Sequence, residues 1–209
     1  MAVDARSKLI LALDVPAFED ARQIIDSLGD SVEIYKVGYQ LFVAHGPFVV
    51  RYLQAQDKKV FLDLKFHDIP NTVSNALASA VRLGVPPHDV LAADGKSPGR
   101  FAPLFMLTVH TQGGLEMMRS AAATAREQAA ALKVPKPLVV GVTVLTSDAS
   151  GEDTSALVLE RARLAREAGL DGVVASVKEA AMLRREMGKD FVIVTPGIRP
   201  KEGAGADAG

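Results

Sequence analysis

The chain has 209 residues, of which 48% are hydrophobic and 23% charged, and a formal net charge of −1. That length supports one domain with a substantial core, and the near-neutral balance offers no electrostatic case for nucleic acid or an anionic membrane surface. The absence of cysteine excludes disulfides and thiolate metal sites and fits a reducing compartment. With neither a signal-like apolar core at the N-terminus nor an apolar run of about 18 residues, the expectation is a cytoplasmic protein.

Short aliphatic or β-branched runs alternate with longer helical patterns along the chain. Strands are predicted over 8–14, 32–38, 59–65, 105–110, 138–145, 172–176 and 191–196. Helical stretches lie between them, with apolar residues three and four apart, as in Ala21, Ile24, Ile25 and Leu28. Gly29, Gly84, Gly169 and Gly188 stand where left-handed helix caps would lead into the next strand. Such alternation predicts right-handed βαβ units and a parallel sheet. Leu13-Asp14-Val15-Pro16 occupies the place where a dinucleotide fingerprint would follow the first strand, so an α/β barrel of the (β/α)₈ type is expected rather than an open Rossmann sheet. The expected organisation is a single barrel domain over 1–209, with an inserted Pro/Gly-containing stretch at about 86–104. The sequence passes from the seventh strand into Gly203-Ala-Gly-Ala-Asp-Ala-Gly209, and a barrel lacking its eighth βα unit is expected.

The densest chemical signal is Phe61-Leu62-Asp63-Leu64-Lys65-Phe66-His67-Asp68-Ile69-Pro70-Asn71-Thr72. Side chains alternate faces along a strand, so Asp63 and Lys65 project together and Leu62 and Leu64 project the other way. Opposite charges on one face, backed by leucines on the other, predict a charged site on a rigid element, since unpaired burial would cost several kcal/mol. Lys65 lies between Asp63 and Asp68, and nearby anions favour its ammonium form, a proton donor rather than a nucleophile. Asp68 also has a structural reading: it precedes Ile69-Pro70, where Asp suits a helix N-cap and Pro the first turn. His67 and His110, with Asp63 and Asp68, suggest a metal site. The Lys65 cation in their midst would compete for the same carboxylates, so no metal is expected.

The run from Asp63 to Thr72 resembles the signature of the orotidine 5′-phosphate decarboxylase family. The resemblance extends to Leu11-Ala-Leu-Asp14, Tyr35-Lys-Val-Gly38, Thr108-Val-His110, Val142-Thr-Val-Leu-Thr-Ser147 and Thr195-Pro-Gly-Ile-Arg199. It implies a barrel enzyme that needs no cofactor and converts orotidine 5′-phosphate to UMP and carbon dioxide, the last step of de novo pyrimidine nucleotide synthesis. Lys65 would protonate the pyrimidine C6, Asp63 would face the departing carboxylate, Lys36 would complete an alternating Lys-Asp-Lys-Asp array, and Asp68 would be a further catalytic residue. Asp14 would bind ribose hydroxyls, and Thr146 would contact the nucleotide near its phosphate or base. Arg199 would hold the phosphate, while the Gln and Gly-Arg pair that grip it elsewhere in the family are not found. The resemblance further implies a homodimer in which Asp68 and Thr72 reach into the partner's site. The alternatives are a magnesium-dependent sugar-phosphate decarboxylase of the same suprafamily, and an inactive incomplete barrel that only binds ligand.

Overall fold

The computed structural model describes residues 7–85, 102–144 and 154–198. Within them seven parallel strands follow one another in chain order across one curled sheet: β1 (Ile10–Ala12), β2 (Ile34–Gly38), β3 (Lys59–Phe66), β4 (Leu104–His110), β5 (Leu138–Val142), β6 (Gly172–Val174) and β7 (Val192–Val194). Helices α1 (Phe18–Leu28), α2 (Tyr39–His45), α3 (Pro47–Ala55), α4 (Pro70–Arg82), α5 (Gly114–Leu132), α6 (Ser155–Glu167) and α7 (Val177–Met187) supply the crossovers. Sequential order with helices crossing between successive strands is the (β/α)-barrel type of fold, as the alternating pattern predicted.

All seven predicted strands form, most of them shorter than the apolar runs, because a ladder lasts only where a neighbour overlaps. β1 pairs through Ile10, Leu11 and Ala12 with Ile34, Tyr35 and Lys36, and among the described residues β7 pairs only with the short β6. Parity then sorts the side chains. Ile34, Phe61, Met106 and Val140, each no more than 2% exposed, fill the inner face of the sheet. Their neighbours Tyr35, Leu62, Leu107 and Val139 point outward and pack with Leu53, Leu77, Met117 and Ala121 of the helices.

Gly29, Gly169 and Gly188 take positive φ at helix ends, though ψ of −124° at Gly29 and 179° at Gly188 departs from the expected left-handed cap. Gly84 lacks the positive φ, and α4 ends instead on Leu83 in the right-handed region. Space explains the glycine there: a Cβ on Gly84 would stand 3.1 Å from the Val81 carbonyl oxygen and 3.3 Å from the Leu104 nitrogen. Most of the predicted insertion, 86–101, lies outside the described residues. Ala102, at its far edge, is buried, and its N–H donates to the Gln54 carbonyl at 3.1 Å just before β4 begins.

Candidate functional site

The charged residues gather at the C-terminal ends of β1, β2 and β3. Lys36 Nζ lies 2.9 Å from Asp14 Oδ1 and 3.7 Å from Asp63 Oδ2, and Lys65 Nζ lies 2.8 Å from that same Oδ2. Asp14, Lys36, Asp63 and Lys65 therefore form one row of alternating charge. The backbone holds the row in place: Leu13 donates to the Lys36 carbonyl, and Gly38 sits beside Asp63 in the β2–β3 ladder. Asp63 is 8% exposed, and an anion at that depth needs its partners; two cations and a hydroxyl provide them.

Within one chain the fourth member of the row is Asp14, and Asp68 stands outside it. Nor is Asp68 the N-cap of α4. Ile69 takes that position in an extended conformation, Pro70 opens the helix, and Asp68 Oδ1 accepts the Ile69 N–H at 2.7 Å. Proline in the first turn displaces the cap by one residue, because the residue before it is driven out of the helical region. Asp68 and Thr72 are exposed, and they line a cleft of about 290 Å³ with Tyr39, Lys65 and His67. The structure thus puts both next to Lys65 in space while leaving their side chains open. Thr146 and Arg199 lie outside the described residues.

Several contacts at the site had no counterpart in the sequence reading. The Tyr39 hydroxyl donates to the Leu64 carbonyl at 2.6 Å, and Lys65 Nζ lies 5.6 Å from the centre of the Tyr39 ring, within cation–π range. Although half of Tyr39 is exposed, burial at its hydroxyl end, and secondarily the Asp63 carboxylate, raise the pKa of the phenol above its ordinary value. The His67 and His110 rings stack at 5.3 Å and 21°. Among the described residues, no three of His, Asp and Glu gather as a metal ion would require. Thr108, quoted above only as part of Thr108-Val-His110, has a fully buried hydroxyl that donates to Asp63 Oδ1 at 3.0 Å. Its position on the inner parity of β4, level with the charged residues of β3, was the available signal.

A curled parallel sheet carrying a Lys/Asp row on its C-terminal rim defines the class: a (β/α)-barrel protein with an ion-paired site where such folds place their active centres. The profile of the orotidine 5′-phosphate decarboxylase / HUMPS family matches residues 7–98 and 102–209, and the chain belongs to that family. It is 44% identical to orotidine 5′-phosphate decarboxylase of Moorella thermoacetica, over 98% of this chain and 76% of that protein. Identity is 45% with the enzyme of the same name from Syntrophotalea carbinolica, over 96% and 78% of the two chains. Among solved structures, orotidine 5′-phosphate decarboxylase from Lactobacillus acidophilus superposes with a TM-score of 0.74 at 34% identity, over 92% of this chain and 81% of that one. No helix among the described residues is long and apolar enough to cross a membrane.

Proposed function

We propose that this protein is a carboxy-lyase that converts orotidine 5′-phosphate to UMP and carbon dioxide in pyrimidine nucleotide synthesis, with no metal or organic cofactor. The observation that carries the reading is the continuous row Asp14–Lys36–Asp63–Lys65 on a rim where two lysines flank one buried carboxylate. The names of the relatives supply the substrate.

In the proposed mechanism the bond between C6 and the carboxylate breaks and its electron pair stays on C6. The Lys65 ammonium delivers a proton to that carbon as carbon dioxide leaves, and neutral Lys65 is reprotonated from solvent. Asp63 acts in two ways. It holds Lys65 at 2.8 Å, and it faces the substrate carboxylate. Two anions about 4 Å apart at an effective dielectric near 20 repel by roughly 4 kcal/mol, a repulsion that the neighbouring lysines reduce and that ends when the carboxylate departs. Lys36 balances the charge of Asp63 and orients Asp14 toward the ribose hydroxyls. Arg199 binds the phosphate, and Thr146 contacts the nucleotide near its phosphate or base. Asp68 and Thr72, open at the edge of the cleft, complete the site of a second subunit in a cytoplasmic homodimer.

The test is direct. Purified protein given orotidine 5′-phosphate should release carbon dioxide and form UMP in the presence of a chelator, and Lys65→Ala should lose that turnover while keeping its circular dichroism. Activity abolished by the chelator and restored by magnesium would instead identify the sugar-phosphate branch of the suprafamily. Near-normal turnover by Lys65→Ala would remove Lys65 as the donor.

A further inference from the structure

β3 does not run straight into the site. Leu62 pairs with Leu107 of β4, but the next paired residue on β3 is Phe66, opposite Val109, so the stretch between Leu62 and Phe66 bulges away from its neighbour. A bulge takes residues out of the ladder and re-aims their side chains. Lys65, inside it, has φ of 42°, a left-handed conformation uncommon for a residue with a long side chain and held only where the surroundings fix it. Its backbone N–H points toward β4 but meets no carbonyl in the ladder there. It donates instead to Thr108 Oγ1, at 2.7 Å.

The Thr108 hydroxyl has one proton, and the geometry directs it to Asp63 Oδ1 at 3.0 Å. One fully buried oxygen therefore accepts from the backbone of the lysine and donates to the carboxylate. The other oxygen of that carboxylate receives the lysine's own ammonium. Asp63, Lys65 and Thr108 close a ring through two side chain–side chain contacts and one backbone contact, with the bulge joining them.

We infer that Thr108 is a positioning residue for decarboxylation: its hydroxyl locks the β3 bulge and the Asp63 carboxylate so that the Lys65 ammonium stands at one fixed point above the sheet. The inference rests on the reading of Lys65 as proton donor and deepens it. Two chemical facts support a hydroxyl at this place. A valine of the same shape would leave a buried N–H and a buried carboxylate oxygen each short of one partner. A serine would keep both bonds and lose only a methyl group. The effect belongs to the chemical step, because Thr108 is fully buried against Asp63 and is not among the residues lining the open cleft.

Steady-state kinetics of Thr108→Val, Thr108→Ser and Lys65→Ala test this. Thr108→Val should lower kcat by about 10–100-fold, the loss expected of a hydrogen bond to a charged group, with KM changed less than about threefold. Thr108→Ser should return kcat to within about threefold of the unaltered protein. Folded Thr108→Val with unaltered kcat would overturn the inference, as would a serine variant as slow as the valine, or a KM that rises in step with the fall in kcat. Turnover lost in Lys65→Ala but kept in Thr108→Val overturns this inference alone, whereas turnover kept in Lys65→Ala removes the donor reading beneath it. If Thr108→Val does not fold, the unaltered protein decides through hydrogen exchange. A protected Lys65 amide supports the contact, and one exchanging as fast as an open loop overturns it.

Discussion

The inner face of the sheet has two levels that share strands and parity yet share little chemistry. At the lower level Ile34, Phe61, Met106 and Val140 meet as a dry apolar layer. Two residues further along β2, β3 and β4 the same face presents Lys36, Asp63 and Thr108, with Lys65 beyond. The lower level gains from removing apolar surface from water, while the upper level gives up that gain to hold two cations around one buried anion. Burial is similar for Phe61 and Asp63, so exposure does not separate them. What separates them is closure. Phe61 is satisfied by shape alone, whereas Asp63 is satisfied only as long as Lys36, Lys65 and Thr108 keep their places.

Substitutions should split the two levels cleanly. Asp63→Asn preserves volume but removes the charge that fixes Lys65 and faces the substrate, so decarboxylation should fall on the order of 100-fold or more while the protein stays folded. Parallel measurement of carbon dioxide release and urea unfolding checks it, and an active Asp63→Asn would count against the charged row as the working part. Phe61→Ala tests the other level. Emptying a fully enclosed aromatic site should cost about 3–5 kcal/mol of stability, seen as a lower urea midpoint. Should Phe61→Ala be as stable as the unaltered chain, burial in the lower layer would not be what stabilises the sheet there.

Reading between strands and helices needed only periodicity, which is why all seven strands were legible. The charged residues of β3 were legible as well, since strand alternation alone places Asp63 with Lys65. Partners fixed by tertiary approach were not. Asp14 joins the row because the β1–β2 ladder sets Ala12 beside Lys36, a register no local pattern reports. The Asp68 cap failed because Pro70 shifts the start of α4 by one residue. Parity on β4 could have pointed to Thr108, but its contact with the Lys65 N–H was hidden by the bulge, an irregularity of pairing that leaves no mark in a run as regular as Phe61-Leu62-Asp63-Leu64-Lys65.

A sharper test concerns the open rim of the upper level. If Asp68 and Thr72 complete a partner's site, a mixture of inactive Lys65→Ala and Asp68→Ala chains should regain activity. Random pairing in a two-fold dimer gives half heterodimers, each with one intact site, so recovery should reach about a quarter of the native value. Mixing after partial unfolding and refolding, with exchange verified by mass, makes the measurement. Exchange without recovery would confine Asp68 to its own chain.

The smallest expected effect lies at the rim of the upper level, at Tyr39. Burial, and then the Asp63 anion, raise the pKa of this phenol, so the folded protein keeps the proton after the unfolded chain has lost it. Below the ordinary tyrosine value, near 10, both states are protonated and Tyr39 contributes no pH dependence. As pH rises through that value the unfolded chain releases the proton first, so stability falls until the folded phenol also ionises. Tyr35 and Tyr52, the other two tyrosines of the chain, are raised mainly by burial and add to the same alkaline loss. Tyr39→Phe should therefore lose less stability between pH 9 and 11 than the unaltered protein, by a part of the total and not all of it. At neutral pH it forfeits one hydrogen bond to Leu64, worth about 1 kcal/mol. Urea midpoints measured across that pH range for both proteins give the comparison. Parallel curves would mean that Tyr39 ionises alike in the folded and unfolded states, and that its hydroxyl is not held against Leu64 beside the Asp63 charge.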